Sequence, residues 1–149
     1  MQIEPIGTIH SPVSEGVDDH WGAVISRVEV KPEFADGLRE LDRFSHALII
    51  FFMHQSTFKA ETDLVRRPRG RADMPEAGIF AQRAKHRPNP IGITAVEIVG
   101  IEGNVLRVRG LDAIDGSPVL DIKPYVPAFD RRDAATVPEW MDRLMQGYF

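Results

Sequence analysis

The segment Ile93-Thr-Ala-Val-Glu-Ile-Val-Gly-Ile-Glu102, followed by Gly103-Asn104 and then Val105-Leu-Arg-Val-Arg109, decides the fold. Two runs rich in β-branched residues, joined by a two-residue glycine–asparagine link, predict an antiparallel hairpin, because such a link tolerates the positive φ of a tight reversal. Upstream, His46-Ala-Leu-Ile-Ile-Phe-Phe-Met53 is continuously apolar and too short to cross a bilayer. It reads as a central strand buried on both faces. Ile3–His10, Ala23–Val30, Gly78–Ala81 and Val119–Lys123 add four more strands.

Helical signals are few. Pro32 to Leu41 opens with proline and places Phe34, Leu38 and Leu41 at helical spacing, which predicts a short helix or turn. Thr136-Val-Pro-Glu139 has the pattern of a capping box, and Trp140, Leu144 and Tyr148 follow at four-residue spacing. This predicts a terminal amphipathic helix whose aromatic stripe packs against the sheet or a second subunit. The fold class is therefore mainly β, a small antiparallel barrel with few short helices and a C-terminal helix. No linker divides residues 1–149 into parts that each hold a core, so one domain is expected.

Composition narrows the function classes. The chain of 149 residues has no cysteine, which removes disulfides, thiolate metal sites and cysteine nucleophiles and fits a reducing, cytoplasmic setting. No basic segment followed by an apolar run opens the chain, and no window is long enough to span a membrane. The net charge of −4 hides a local asymmetry. Between Arg66 and Arg87 stand Arg66, Arg67, Arg69, Arg71, Arg83, Lys85 and Arg87 against only Asp73 and Glu76. Such a surplus serves either an anion or RNA surface or a solvated loop.

Several common sites are missing from the pattern. Neither a Gly-x-Gly-x-x-Gly after a strand nor a phosphate-loop Gly-Lys-Ser/Thr is present, and there is no Gly-x-Ser-x-Gly elbow. The histidines show no paired spacing; His46 and His54, on one predicted strand, would stand about 26 Å apart. No metal site is expected.

Two stretches carry the chemistry. Arg83-Ala-Lys-His-Arg-Pro-Asn-Pro-Ile-Gly92 sets cationic and titratable side chains before two prolines and a glycine. Pro88 and Pro90 fix φ and remove donors, so the segment is a stiff corner, and Gly92 permits a close backbone approach or a positive φ. Such a corner is either a preshaped binding element or a rigid connection whose charges face water. The second stretch is Gly110-Leu-Asp-Ala-Ile-Asp-Gly-Ser-Pro-Val-Leu-Asp-Ile-Lys-Pro-Tyr125. Asp112 lies just past a strand end, where loop-borne functional groups often sit. Asp115-Gly116-Ser117-Pro118 by itself is a turn. Asp121, Lys123 and Tyr125 alternate on one strand face, lining a cleft or facing solvent.

These stretches resemble the TsaA-like family, also called TrmO, whose members methylate N6 of threonylcarbamoyladenosine at position 37 of certain tRNAs with S-adenosylmethionine. The resemblance runs through most of the chain: Ile6-Gly-x-Ile9-x-Ser-Pro12, Gly37-Leu-x-x-Leu-x-x-Phe-Ser-His46, Arg67-Pro-Arg69, Gly78-Ile-Phe-Ala81-x-Arg83, His86-Arg-Pro-Asn-Pro-Ile-Gly92 and Leu111-Asp-x-x-Asp-Gly-x-Pro-Val-x-Asp-Ile-Lys-Pro-Tyr125. It implies a non-Rossmann methyltransferase that works as a homodimer, with S-adenosyl-L-methionine as donor and the anticodon loop of tRNA as partner. By position, the family's donor contacts fall on His54, Gln55, Arg83, Ile93, Leu111, Asp112, Ile114, Asp115, Gly116 and Ser117. A further donor segment would lie near Asp19 to Trp21, where this sequence departs from the family.

On that resemblance, the chemistry of the side chains suggests roles. Arg83 suits the donor's carboxylate, backbone groups of Leu111 to Gly116 suit the adenine edge, and Arg66, Arg67, Arg69, Arg71, Lys85 and Arg87 suit tRNA phosphates. Asp112, Asp115 and Tyr125 are the candidates for assisting the acceptor nitrogen as base or hydrogen-bond partner. Three other readings remain open: a module that binds or senses S-adenosylmethionine without catalysis, a methyltransferase with a different acceptor, and an RNA-binding accessory without a donor site.

Overall fold

The computed structural model describes residues Met1–Phe149. Eight strands occur: β1 (Gly7–His10), β2 (Ile25–Val30), β3 (His46–Phe52), β4 (Val65–Arg66), β5 (Ala77–Gly78), β6 (Ile91–Glu102), β7 (Val105–Arg109) and β8 (Pro118–Pro124). Six of them close into an antiparallel barrel in the order β1-β2-β7-β6-β3-β8, with β8 pairing back onto β1. β4 and β5 pair as a small ribbon within the long excursion between β3 and β6. The mainly β fold and the Gly103-Asn104 hairpin are as the sequence predicts, with Gly103 at φ 60°.

Closure leaves each strand one inward face, so inward positions are apolar and alternate with wetter ones. Ile9, Val28, Val30, Ala47, Ile49, Phe51, Val96, Leu106, Val108, Leu111 and Val119 all point into one core cluster. Gly92 stands directly opposite Phe51, and a Cβ there would fall 2.4 Å from the end of the Phe51 ring. The glycine is a close-approach site that lets this ring lie across β6.

Four expectations need correction. β3 is buried on one face only: Ala47, Ile49 and Phe51 are inside, while Leu48 and Ile50 are half-buried and Phe52 is exposed. A barrel wall one sheet thick has no second buried face. The strand expected over Gly78–Ala81 shrinks to Ala77–Gly78 and passes into a 3-10 turn over Ile79–Ala81, with Ile79 buried and Phe80 outside. Pro32–Leu38 is a 3-10 segment that stops short of Leu41. The capping box does not form, because Pro138 is extended (φ −65°, ψ 152°) and itself caps a helix over Glu139–Leu144.

That helix is α3, after single turns α1 (Ala60–Asp63) and α2 (Pro127–Asp130). It ends before Gly147, whose φ of 72° turns Tyr148 off the helical stripe. No helix is long and apolar enough to cross a membrane.

The register defines two rims. The ends of β1, β3 and β7 and the starts of β2, β6 and β8 lie at one rim, which therefore carries the connections over residues 11–24, 53–90 and 110–117. The hairpin and the start of the C-terminal segment lie at the other. The chain then returns to the first rim: His20 N–H donates to the Gly147 carbonyl (2.9 Å) and Trp21 N–H to that of Tyr148 (2.8 Å).

Candidate functional site

The loop-bearing rim gathers most of the residues singled out above. The turn Met53–Ser56, closed by Ser56 N–H to the Met53 carbonyl at 3.0 Å, presents His54 and Gln55 to solvent. The proline corner packs beside it. Met53 N–H donates to the Pro90 carbonyl at 2.8 Å, and the His86 ring nitrogen Nδ1 lies 2.8 Å from the Thr57 carbonyl oxygen. Arg87 closes the corner on itself by donating to the carbonyls of Gln82 (3.0 Å) and Ala84 (3.4 Å).

Arg83 is exposed, and its Nη2 donates to the Ile93 carbonyl at 2.6 Å. One arm of the guanidinium is thus anchored to the start of β6, and its remaining N–H groups face outward, a preset fork for a carboxylate. Next to Ile93 stands Thr94, which occupies an inward position of β6 and is only 7 % exposed. A hydroxyl there must find an acceptor. It donates to Asp112 Oδ1 in a very short contact, and the Tyr148 hydroxyl donates to Asp112 Oδ2 at 2.5 Å. Both carboxylate oxygens of Asp112 are therefore held.

Tyr148 is tuned for that role. Burial pushes its phenol well above the ordinary value, and the negative charge of Asp112 and the hydrogen bond to it push the same way, with Asp18 adding to them and Arg69 opposing. The group stays a neutral donor across the physiological range. The Thr94–Asp112–Tyr148 cluster thus fixes the orientation of the Asp112 carboxylate through two hydroxyl donors.

Between Gly110 and Asp115 the backbone does something unusual. Leu111, Asp112 and Ala113 make no backbone hydrogen bond through either N–H or C=O, and the Ile114 N–H has no acceptor. Leu111 and Ala113 are 0 % and 1 % exposed. Buried backbone groups are nearly always paired, so an unpaired run at a rim is a place for a ligand with donors and acceptors of its own. The Leu111 side chain lies in the core, so this residue offers a ligand its backbone alone.

The rest of that loop is turned on itself. Asp115 N–H donates to the Val13 carbonyl (2.7 Å), and its Oδ1 accepts from Ser11 N–H (3.0 Å). Gly116 adopts φ 81°, and a Cβ on it would lie 3.9 Å from His54 Nε2, which places this turn beside the imidazole. The Ser117 hydroxyl donates to the Ile114 carbonyl at 2.7 Å. Asp115 and Ser117 are thus engaged in holding the turn.

Two groups of expected residues stand elsewhere. Tyr125 lies past the end of β8 at the opposite rim, against His46, whose carbonyl accepts its N–H at 3.0 Å. Eight residues of largely extended chain separate it from Ser117, roughly 26 Å, so it does not join Asp112. The arginine loop is held largely by the protein itself. Arg66 lies 3.7 Å from Asp63, and Arg67 donates to the Met74 carbonyl in a very short contact. Arg71 forks onto Asp73 at 2.9 and 2.7 Å, and this raises the guanidinium's affinity for its proton and lowers that of the carboxyl. Arg69 has a left-handed backbone (φ 53°), with its guanidinium 5.9 Å above the Tyr148 ring and 3.9 Å from Asp18. Lys85 stays exposed.

Sequence reading missed Thr94 and Tyr148. Thr94 was legible as the one polar residue at an inward position early in β6. Tyr148 was not, because its partner comes from a return of the chain that no local pattern marks. That return also occupies the departing segment near Asp19 to Trp21, since Trp21 is 2 % exposed beneath it.

Such an arrangement defines a class: a small closed β-barrel whose candidate site is built on the loops of one rim, without a glycine-rich nucleotide cradle. Residues 17–131 match the family described as tRNA-methyltransferase O N-terminal domain, and the chain belongs to that family. It is 43 % identical over 144 residues to a probable S-adenosyl-L-methionine-binding protein of Pyrococcus abyssi, covering 93 % of this chain and 75 % of that one. It is 40 % identical over 140 residues to the tRNA (adenine(37)-N6)-methyltransferase of Escherichia coli, covering 85 % of this chain and 58 % of the relative. A crystal structure of TrmO from Pseudomonas aeruginosa superposes with a TM-score of 0.73 at 34 % identity, over 91 % of this chain and 60 % of that chain. The chain thus spans about three-fifths of the longer relatives.

Proposed function

We propose that the protein is an S-adenosylmethionine-dependent methyltransferase acting on N6 of threonylcarbamoyladenosine at position 37 of tRNA. The observation that carries this reading is the unpaired backbone of Leu111 to Ala113 beside the anchored Arg83, at the rim of a barrel of this family. An adenine edge offers the donors and acceptors that such a backbone run lacks, and a methionine carboxylate suits the guanidinium fork. Bound there, S-adenosylmethionine would supply a methyl group to the acceptor nitrogen, the carbon–sulfur bond breaking as the carbon–nitrogen bond forms, with the neutral thioether leaving and the N6 proton passing to a rim carboxylate or to solvent.

The chain's own residues work by placement. Thr94 and Tyr148 fix the Asp112 carboxylate, and with it the loop that holds the unpaired run. His54 and the turn at Gly116 form one wall of the rim, and the proline corner keeps Arg83 at a set distance from it. Positioning of this kind is the main source of rate in a displacement that needs no covalent help from the protein. Asp112, with both oxygens occupied by hydroxyls, serves as an oriented acceptor facing the acceptor amine, and Asp115 braces the turn. Tyr125, at the far rim, has no part in this step.

The same rim supports a homodimer with donor sites at the subunit boundary. Ile91 and Ile93 are 42 % and 44 % exposed, and nearby on the same excursion Val65 and Phe80 are 59 % and 80 % exposed, an apolar surface that a second copy would cover. A tRNA substrate places the enzyme in the cytoplasm.

The test is a nucleoside assay. Protein, donor and threonylcarbamoylated tRNA are incubated, and the tRNA is digested and analysed by mass spectrometry. A mass gain of one methyl on the threonylcarbamoyladenosine nucleoside is expected. Donor binding without any methylated nucleoside would replace this reading with that of a sensing module.

A further inference from the structure

Beside the candidate ligand rim, the outer wall of the barrel carries a row of basic side chains, two of which no carboxylate answers. In the strand register His10 stands opposite Arg27, and Arg27 stands opposite Arg107, so the row crosses β1, β2 and β7. Together with Ser11 and Asp115, these side chains line a cleft of about 470 Å³. Like charges directly opposite each other in a cross-strand pair are destabilising.

The neighbours on the same face show that the wall is not simply short of acids. Arg109, two residues beyond Arg107, is held by Glu97 at 2.6 Å. Glu29, two residues beyond Arg27, lies 3.8 Å from His10 Nε2, an atom without a hydrogen-bond partner. Asp115 borders the cleft but makes no ion pair with either arginine, and its Oδ1 accepts from Ser11 N–H. Arg27 and Arg107, both exposed, are the members of the row that have neither an ion pair nor a hydrogen bond. Two unanswered guanidiniums on adjacent strands, about 4.8 Å apart at the backbone, present a wide donor surface shaped for phosphate oxygens.

We propose that Arg27 and Arg107, flanked by His10, bind the phosphodiester backbone of the RNA substrate and lead it to the rim. This rests on the tRNA reading above. Asp115 belongs both to the cleft and to the turn that ends the ligand loop, so a strand held by the two arginines runs alongside the acceptor position. The arrangement moves the main phosphate surface away from the Arg66–Arg71 loop, whose guanidiniums are engaged with Asp63, Met74, Asp18 and Asp73.

The test compares wild type with Arg27→Gln/Arg107→Gln and with Arg27→Glu, using tRNA and a generic single-stranded RNA as probes over a salt series. RNA affinity at low salt should fall about tenfold or more in both variants. In the double variant the slope of log affinity against log salt should drop by about 1.4 to 1.8, the counterion release of two phosphate contacts. S-adenosylmethionine binding, measured by calorimetry, should not change. Both variants should melt at or above the wild-type temperature, because each removes a like-charge pair, so lost RNA binding cannot be put down to unfolding. Unchanged RNA affinity and slope in the double variant would overturn the proposal, as would a wild type that binds neither RNA at low salt. Competition of RNA binding by millimolar inorganic phosphate, beyond that of chloride at equal ionic strength, would also overturn it, marking a small-anion site. RNA binding that depends on the two arginines, without methyl transfer, would retain this surface and reject the enzymatic reading.

Discussion

The Tyr148 hydroxyl donates to Asp112 Oδ2 at 2.5 Å and so ties the last turn of the chain to the centre of the ligand loop. The contact bridges 36 residues, and with Thr94 on the other oxygen it converts a loop carboxylate into a fixed element of the barrel. Tyr148→Phe keeps the ring over which Arg69 lies and removes only the donor. It should lower stability by about 1–2 kcal/mol, toward the low end for a hydrogen bond to a charged group because the site is partly open. Chemical denaturation measures the loss, and calorimetry should show weaker donor binding beside it. Unaltered donor affinity would show that Asp112 needs no such brace.

The raised phenol of Tyr148 sets an alkaline limit. Below the ordinary tyrosine value of about 10, folded and unfolded chains are both protonated there and the contribution to stability is complete. As pH rises further the unfolded chain ionises while the folded one does not, so stability falls. In a Tyr125→Phe variant, which leaves Tyr148 as the only tyrosine, absorbance of the phenolate should stay absent at pH 10–11 and emerge together with loss of circular dichroism. Free titration of Tyr148 in the folded state would contradict its burial.

Arg83 is anchored by one arm to Ile93, which leaves the fork in place before a ligand arrives. Arg83→Ala should weaken S-adenosylmethionine binding by about 1.5–3 kcal/mol, the scale of a charge-assisted hydrogen bond. Calorimetry is the measurement, and an affinity equal to wild type would remove Arg83 from the donor site.

Asp73 links the arginine loop to α3 by accepting from both Arg71 and Arg143, the latter at 2.8 Å. The Arg71 hydrogen bond holds its carboxyl below the ordinary range, so the tie is present at neutral pH and is lost as pH falls through that lowered value. Asp73→Asn should speed hydrogen exchange over residues 66–74 and α3 while leaving donor affinity intact. Protection equal to wild type would show that the contacts of Arg66, Arg67 and Arg69 hold the loop without Asp73.

Gly92→Ala places a methyl group against the Phe51 ring. The ring has nowhere to go but further into the core, so a loss of about 1–3 kcal/mol is expected. A variant as stable as wild type in urea would show that Phe51 swings aside at no cost.

Much of this architecture was legible in the sequence for physical reasons. Strand identity follows from β-branched alternation, and the Gly103-Asn104 hairpin and the close approach at Gly92 follow from the freedom of glycine. The proline corner was recognisable as stiff, and motif resemblance placed His54, Arg83, Ile93 and Leu111 to Ser117 on what proves to be one rim. What failed were inferences that depend on distant partners. The one-sided burial of β3 comes from barrel closure, which a local run of apolar residues does not encode. The four-residue spacing of Trp140, Leu144 and Tyr148 promised a helix, and Gly147 turned the third of them toward Asp112 instead. Charge counting found the Arg66–Arg71 loop but not its internal acceptors, and it passed over Arg27 and Arg107 because strand register alone brings them together.

The most direct test of the ligand rim is a backbone amide chemical-shift map recorded as S-adenosylmethionine is titrated into the protein. Shifts are expected at His54, Gln55, Ile93 and Leu111 to Ser117, with residues 34–44 and Tyr125 at the far rim unmoved. Shifts confined to the far rim, or none at saturating donor, would contradict a donor site at the loop-bearing rim.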